Sequence, residues 1–151
     1  MVSQKGNLCQ SPAMDNLQRA TVAVLITGED LVPAQVAVAL DGTVSFGVVK
    51  GEVFTGRHGK EIEAKIGMCR FGGEWHAEPD IDRQIREVLS TLTDDKDRWG
   101  AITARYFCHL SVGGYFHDWT GGLTLASETL KMLADRNLAI DFDFYAPASS
   151  R

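Results

Sequence analysis

A chain of 151 residues, 44% of them hydrophobic, is long enough for one domain with its own core. Its net charge of −5, with no long basic run, excludes an electrostatic nucleic-acid or anionic-membrane binder, and no apolar stretch approaches the roughly 18 residues that cross a bilayer. Cys9, Cys69 and Cys108 are odd in number and form no C-x-x-C pair, which argues against a disulfide framework or a cysteine zinc site; with no signal-peptide pattern, a cytoplasmic location is expected.

Residues 1–17 are polar and aperiodic, an expected disordered tail in which Met14 is a candidate alternative start. Residues 18–146 carry the pattern of a single α+β domain, and 147–151 read as a frayed end. Thr21–Thr27 is continuously apolar and β-branched, the mark of a strand covered on both faces or central in the sheet. Pro33 suits a first helical turn, because its missing N–H would have no partner there, and the helix Ala34–Leu40 ends at Asp41-Gly42. Val44, Phe46 and Val48 alternate as a weaker strand broken by Gly47, and Gly56–Lys60 reads as a hairpin turn. Glu61–Cys69 predicts one half-buried strand with Ile62, Ala64, Ile66 and Met68 on one face.

Pro79-Asp80 opens the strongest helix, in which Ile81, Ile85, Val88, Leu89 and Leu92 share one face. Asp94, Asp95 and Asp97 read as a solvated loop after it. A strand follows over Arg105–Val112, with Tyr106, Cys108, Leu110 and Val112 on one side and Arg105, Phe107, His109 and Ser111 on the other. A loop over Gly113–Leu123, a helix over Ser127–Asn137 and a strand over Ile140–Tyr145 complete the chain. A pattern recurs in it: a strand, a glycine-containing loop, then Leu31-x-Pro33-x-x-Val36 or Leu125-x-Ser127-x-x-Leu130 opening a helix.

The resulting order, β-α-β-β-α-β-α-β, predicts a two-layer α+β sandwich of ferredoxin-like type, βαββαβ with an extra α-β unit. The sheet is expected to be mostly antiparallel with helices on one face. Its open face would carry some of Glu61, Glu63, Lys65, Arg105, His109, Asp141 and Asp143.

Across Ala20–Tyr145 the string resembles the uncharacterised bacterial family called domain of unknown function 4279. The matching residues are Leu25-Ile-Thr-Gly28, Leu31-x-Pro33-x-x-Val36, Lys50-Gly51-Glu52, Gly73-x-Trp75, the Ile81–Leu92 helix, Leu125-x-x-Glu128-x-Leu130-x-x-Leu133-Ala134 and Phe142-Asp143-Phe144-Tyr145. Where the family pattern has Leu-Gly-x-x-Pro, this chain has Leu40-Asp41-Gly42-Thr43-Val44. The resemblance implies an architecture and no catalytic residues; some small bacterial proteins of this look are suspected toxin-immunity factors.

Reactive side chains concentrate between Tyr106 and Trp119. If this segment folds back, His109, His117 and Asp118 could hold a divalent metal, although no H-x-x-x-H or H-E-x-x-H spacing is present; the alternative is an exposed aromatic loop with ordinary surface histidines. Cys108 and His109 are strand neighbours and point to opposite faces, so they make no nucleophile–base pair. Cys69, out of phase with Met68, is expected to be exposed. Gly47-x-x-x-Gly51, Gly56-Arg57-His58-Gly59 and Gly121-Gly122 match no phosphate-loop signature.

Asp141 and Asp143 form either a solvated stripe or part of a recognition surface, and Trp75, Trp99 and Trp119 either plug the core edge or anchor a partner. The expectation is a non-catalytic binding module without cofactor or metal. A protein partner or a second copy would dock on the open sheet face and the Gly113–Leu123 loop through His109, Tyr115, His117, Asp118, Trp119, Asp141 and Asp143. A small-molecule or metal-dependent enzyme centred on His109, His117 and Asp118, and a toxin-immunity protein, are the alternatives.

Overall fold

The computed structural model describes residues 16–147. The expected disordered ends lie outside the described residues except for Asn16, Leu17 and Pro147, and Met14 and Cys9 lie outside them altogether. The fold is mixed α+β, with a five-stranded sheet in the order β2-β5-β1-β6-β7 and a separate two-stranded sheet, β3-β4. The strands are β1 (Leu17–Gly28), β2 (Phe46–Val48), β3 (Val53–Thr55), β4 (Glu61–Glu63), β5 (Gly67–His76), β6 (Phe107–Phe116) and β7 (Ala139–Tyr145). The helices are α1 (Pro33–Leu40), α2 (Ile81–Ser90), α3 (Lys96–Arg105) and α4 (Ser127–Asp135). No helix among the described residues is long and apolar enough to cross a membrane.

Strand β1 is central, antiparallel to β5 on one side and to β6 on the other, and β5 is antiparallel to β2. Its Ala20, Val22, Val24 and Ile26 join Phe71 of β5 and Leu110 and Val112 of β6 in a single buried cluster. All four helices supply that cluster: Val36 and Leu40 from α1, Ile85 and Leu89 from α2, Trp99 and Ile102 from α3, Leu133 from α4. Asp80 caps α2 by accepting from the Arg83 amide, and Asp82 accepts from the Ala126 amide at 2.9 Å, tying α2 to the start of α4.

Several sequence expectations change. The predicted strand Glu61–Cys69 is two strands in two sheets, β4 and β5. Ala64 turns inward and its amide and carbonyl pair with Glu52 and Gly51, which ends β4, so the alternation of Ile62, Ala64, Ile66 and Met68 spans a break. Past that break the parity inverts, and Cys69 is fully buried. The predicted loop at Asp94–Asp97 leads into a helix, α3, whose cap is Asp95, accepting from the Asp97 and Arg98 amides. Trp99, Ile102 and Tyr106 form its buried stripe; Gly100 and Thr103 between them weaken the periodic signal. Arg105 therefore ends a helix and pairs with Asp30 at 2.7 Å, away from the open sheet face.

Strand β6 continues to Phe116, so Gly113–Phe116 are paired sheet residues and the loop starts at His117. Strand β7 lies parallel to β6, because α4 carries the chain back across the helix layer between them. Gly47 sits within β2 without breaking it, and Asp41, not Gly42, takes the left-handed position after α1, at φ 56°. The hairpin turn over Gly56–Lys60 forms as expected, with the Gly56 amide donating to the Lys60 carbonyl at 2.7 Å.

Candidate functional site

The strand residues that do not face the helices line a groove of about 660 Å3. Its floor is small: Thr21, Ala23, Ser111 and Gly113, side by side on β1 and β6. A side chain at Gly113 would meet only ordinary contacts, at 3.5 Å from Thr21 and 3.7 Å from the Asp143 carbonyl, so the missing side chain leaves usable depth.

A row of large side chains crosses four strands at one end of this floor. Register places Arg19 opposite Tyr115, Thr21 opposite Trp75, and Tyr115 beside Tyr145. The Arg19 guanidinium lies over both rings, 4.9 Å from the Trp75 centroid and 4.4 Å from that of Tyr115, and Tyr115 stacks on Tyr145 at 5.1 Å. Such cation–π contacts fix a flexible cation in place while leaving its N–H edges available.

Trp75 reaches this row because β5 carries a bulge. Between the Thr21–Trp75 and Ala23–Gly72 pairs, Gly73 and Glu74 oppose the single residue Val22. Gly72 and Gly73 hold φ of 81° and 98°, which other residues rarely adopt, and the extra residue puts Trp75 on the same face as Met68 and Arg70.

The other end of the groove is walled by Phe46 of β2, Met68 and Arg70. The Arg70 Nε donates to Ser45 Oγ at 3.3 Å, and its guanidinium lies 5.8 Å from the Phe46 ring centroid. The β3–β4 hairpin leans over this side, packing Phe54 edge-on against Phe46 at 5.4 Å and bringing Arg57 to the same groove as Tyr145. Tyr145 donates its hydroxyl to Asp143 Oδ2 at 2.8 Å, and that hydrogen bond to a carboxylate holds its phenol pKa above the usual value.

The expected site residues fall in three places. Tyr115 and Asp143 line the groove. His109 and Asp141 meet on the same sheet face with Nε2 3.5 Å from Oδ2, beside the Phe107 ring, while His109 Nδ1 is buried with no hydrogen-bond partner among the described residues. His117, Asp118 and Trp119 lie in the exposed loop beyond β6, where the Asn16 amide group donates to Asp118 at 3.1 Å. His109 and His117 are thus separated by about 26 Å of extended chain, and the structure does not bring the proposed metal set together. Among the described residues no group of three His, Cys, Asp or Glu side chains could hold a metal ion. Burial pushes the Cys69 and Cys108 thiols up to about 12, so both are protonated at neutral pH.

Arg19, Arg57, Arg70 and Tyr145 are site residues that sequence reasoning missed. Tyr145 shares parity with Asp141 and Asp143 and was accessible from that alternation; Arg19 lay too close to the expected tail. A second cleft of about 490 Å3 separates α2 from the bulge and the α1–β2 connection, lined in part by Glu74, His76, Gln84 and Glu87. Gln84 spends its side chain inside the fold, receiving the Asp80 amide and donating to the Ala20 carbonyl.

The sequence profile of the family described as Domain of unknown function (DUF4279) matches residues 18–147, and the chain belongs to that family. No curated protein and no solved structure matches the chain.

Proposed function

We propose that this member of the family is a non-catalytic binding module, with the groove across its sheet as the docking site for a protein partner. The observation that carries the reading is the row Trp75, Arg19, Tyr115 and Tyr145, ordered by contacts within the chain and lying on the face that no helix covers. Trp, Tyr and Arg are the side chains most enriched in binding hot spots, and holding them in place beforehand lowers the ordering cost of association.

The framework reads as ferredoxin-like with additions. The order β2-β5-β1-β6 with every neighbour antiparallel supports this, as does the placing of α1 between β1 and β2 and of α2 and α3 between β5 and β6. The unit α4–β7 then extends the sheet, and β3–β4 is an inserted hairpin. The free thiols Cys69 and Cys108 support a reducing compartment, the cytoplasm.

Gly113→Val tests the docking site, since it fills the floor at a position where an added Cβ meets only ordinary contacts. Partners recovered with the wild-type chain from native lysate should be lost with the variant at unchanged thermal midpoint; equal recovery of the same proteins would refute the reading. Where the partner is a second copy, light scattering should give twice 16.5 kDa for the wild type and 16.5 kDa for Gly113→Val. The acids Asp141 and Asp143 on edge strand β7 work against direct pairing of two such edges, which directs self-association to the groove as well.

A further inference from the structure

We infer that the groove recognises an extended acidic segment of its protein partner, with carboxylates meeting Arg19, Arg57 and Arg70 and an aromatic residue seated on the Gly113 floor beside Tyr115. This deepens the docking reading above and rests on it. The charge pattern is the first argument. Arg83, Arg86, Arg98 and Arg105 each pair with a carboxylate, whereas Arg19, Arg57 and Arg70 form no ion pair among the described residues and all three line this groove. A chain of net charge −5 thus carries three guanidiniums in one groove against a single lining carboxylate, Asp143. The acids nearby are engaged: Asp143 accepts from Tyr145, and Asp141 lies against His109.

Spacing supplies the second argument. Arg70 sits opposite Leu25 and Arg19 lies six positions earlier on β1, about 20 Å of extended chain. The Arg70 side chain leans back over Gly73, level with Val22, and the Arg19 guanidinium reaches over Trp75, level with Thr21, so the two cations approach each other along the groove from opposite ends. Carboxylates on alternate residues of an extended peptide recur on one side about every 7 Å, a repeat suited to cations carried on three different elements, β1, β5 and the β3–β4 hairpin. Guanidiniums stacked on rings present the planar N–H edges that carboxylates accept in pairs.

A single-stranded nucleic acid would also combine anions with stacking rings. It carries a charge at every nucleotide, however, whereas a peptide can place its carboxylates at the guanidiniums and uncharged residues beside Asp141 and Asp143, and the net negative charge of the chain opposes a uniform polyanion.

Fluorescence anisotropy decides the matter with three labelled probes: a capped octapeptide of glutamate and tyrosine in equal number, the same peptide with glutamine for glutamate, and a ten-nucleotide oligothymidine. The glutamate peptide should bind at least tenfold tighter than the glutamine peptide and tighter than oligothymidine. Arg19→Met and Arg70→Met should each weaken it about tenfold while thermal midpoints hold, and Gly113→Val should abolish it. Equal binding of the two peptides, no binding of either, indifference to both arginine variants, or preference for oligothymidine would overturn the inference. If native partners are still lost with Gly113→Val, such a result removes the acidic specificity and leaves the docking site standing.

Discussion

The two faces of strand β6 are built from interleaved residues and do opposite things. Cys108, Leu110 and Val112 point into the helix layer and are buried, while His109, Ser111, Gly113 and Tyr115 point away and are only partly covered. The inner set is apolar and filled; the outer set is small and polar in the middle with rings at the end. A sheet covered on one side therefore separates stability from recognition within one strand, at a spacing of one residue.

The sharpest way to break that separation is to cut volume on each face. Leu110→Ala, at a fully buried site, should lower unfolding free energy by about 2–5 kcal/mol, whereas Ser111→Ala next to it should change it by less than about 0.5 kcal/mol. Urea denaturation of the two variants measures this, and comparable losses would show that the outer face is also structural.

Asp82 offers a smaller effect confined to the helix layer. Burial works to raise its carboxyl pKa, but the nearby Thr129 hydroxyl, the hydrogen bond from the Ala126 amide and the Arg86 guanidinium outweigh it and hold the group below the usual carboxylate range. A depressed folded-state pKa means stability that is full above the unfolded value of about 3.9 and is lost as pH falls through the folded one. Asp82→Asn should cost about 1 kcal/mol at pH 7, and its deficit against the wild type should shrink as the pH is taken below about 4. A deficit independent of pH would mean that the carboxylate charge plays no part.

The smallest effect belongs to the outer face. Asp143→Asn removes the carboxylate that accepts from Tyr145, so the phenol should titrate closer to its ordinary value of about 10 in ultraviolet absorbance, with no change in thermal midpoint at pH 7. An unmoved titration would show that the hydrogen bond does not persist in solution.

Much of the inner face was legible in the sequence and little of the outer one. The β-branched run of β1, the stripe Ile81, Ile85 and Leu89 of α2, and the alternation Tyr106, Cys108, Leu110 and Val112 each repeat with the period of their element, and all are buried as that period requires. Helix α3 escaped because it has ten residues, two of them Gly100 and Thr103, and an inward stripe of few members. At Glu61–Cys69 the periodicity was real but crossed from one sheet to another, which local alternation does not register. The groove escaped for a related reason: its residues come from β1, β2, β5, β6, β7 and a hairpin, and strand order and register, set by long-range pairing, decide that they meet. Tyr115 and Asp143 were singled out from composition, but nothing near them in sequence pointed to Arg19 or Arg70.

The two glycines of β5 govern more than a local bend. Were the pairing to run regularly beyond Gly72, Glu74 would stand opposite Thr21 and Trp75 would turn toward the helices, so the recognition row would exchange an indole for a negative charge. Gly72 and Gly73 thus act as a selector between two chemically different surfaces encoded by one string of side chains. Bulky β-branched residues at these two positions, which shun positive φ, would be expected to flip that selection without altering any residue that a ligand touches.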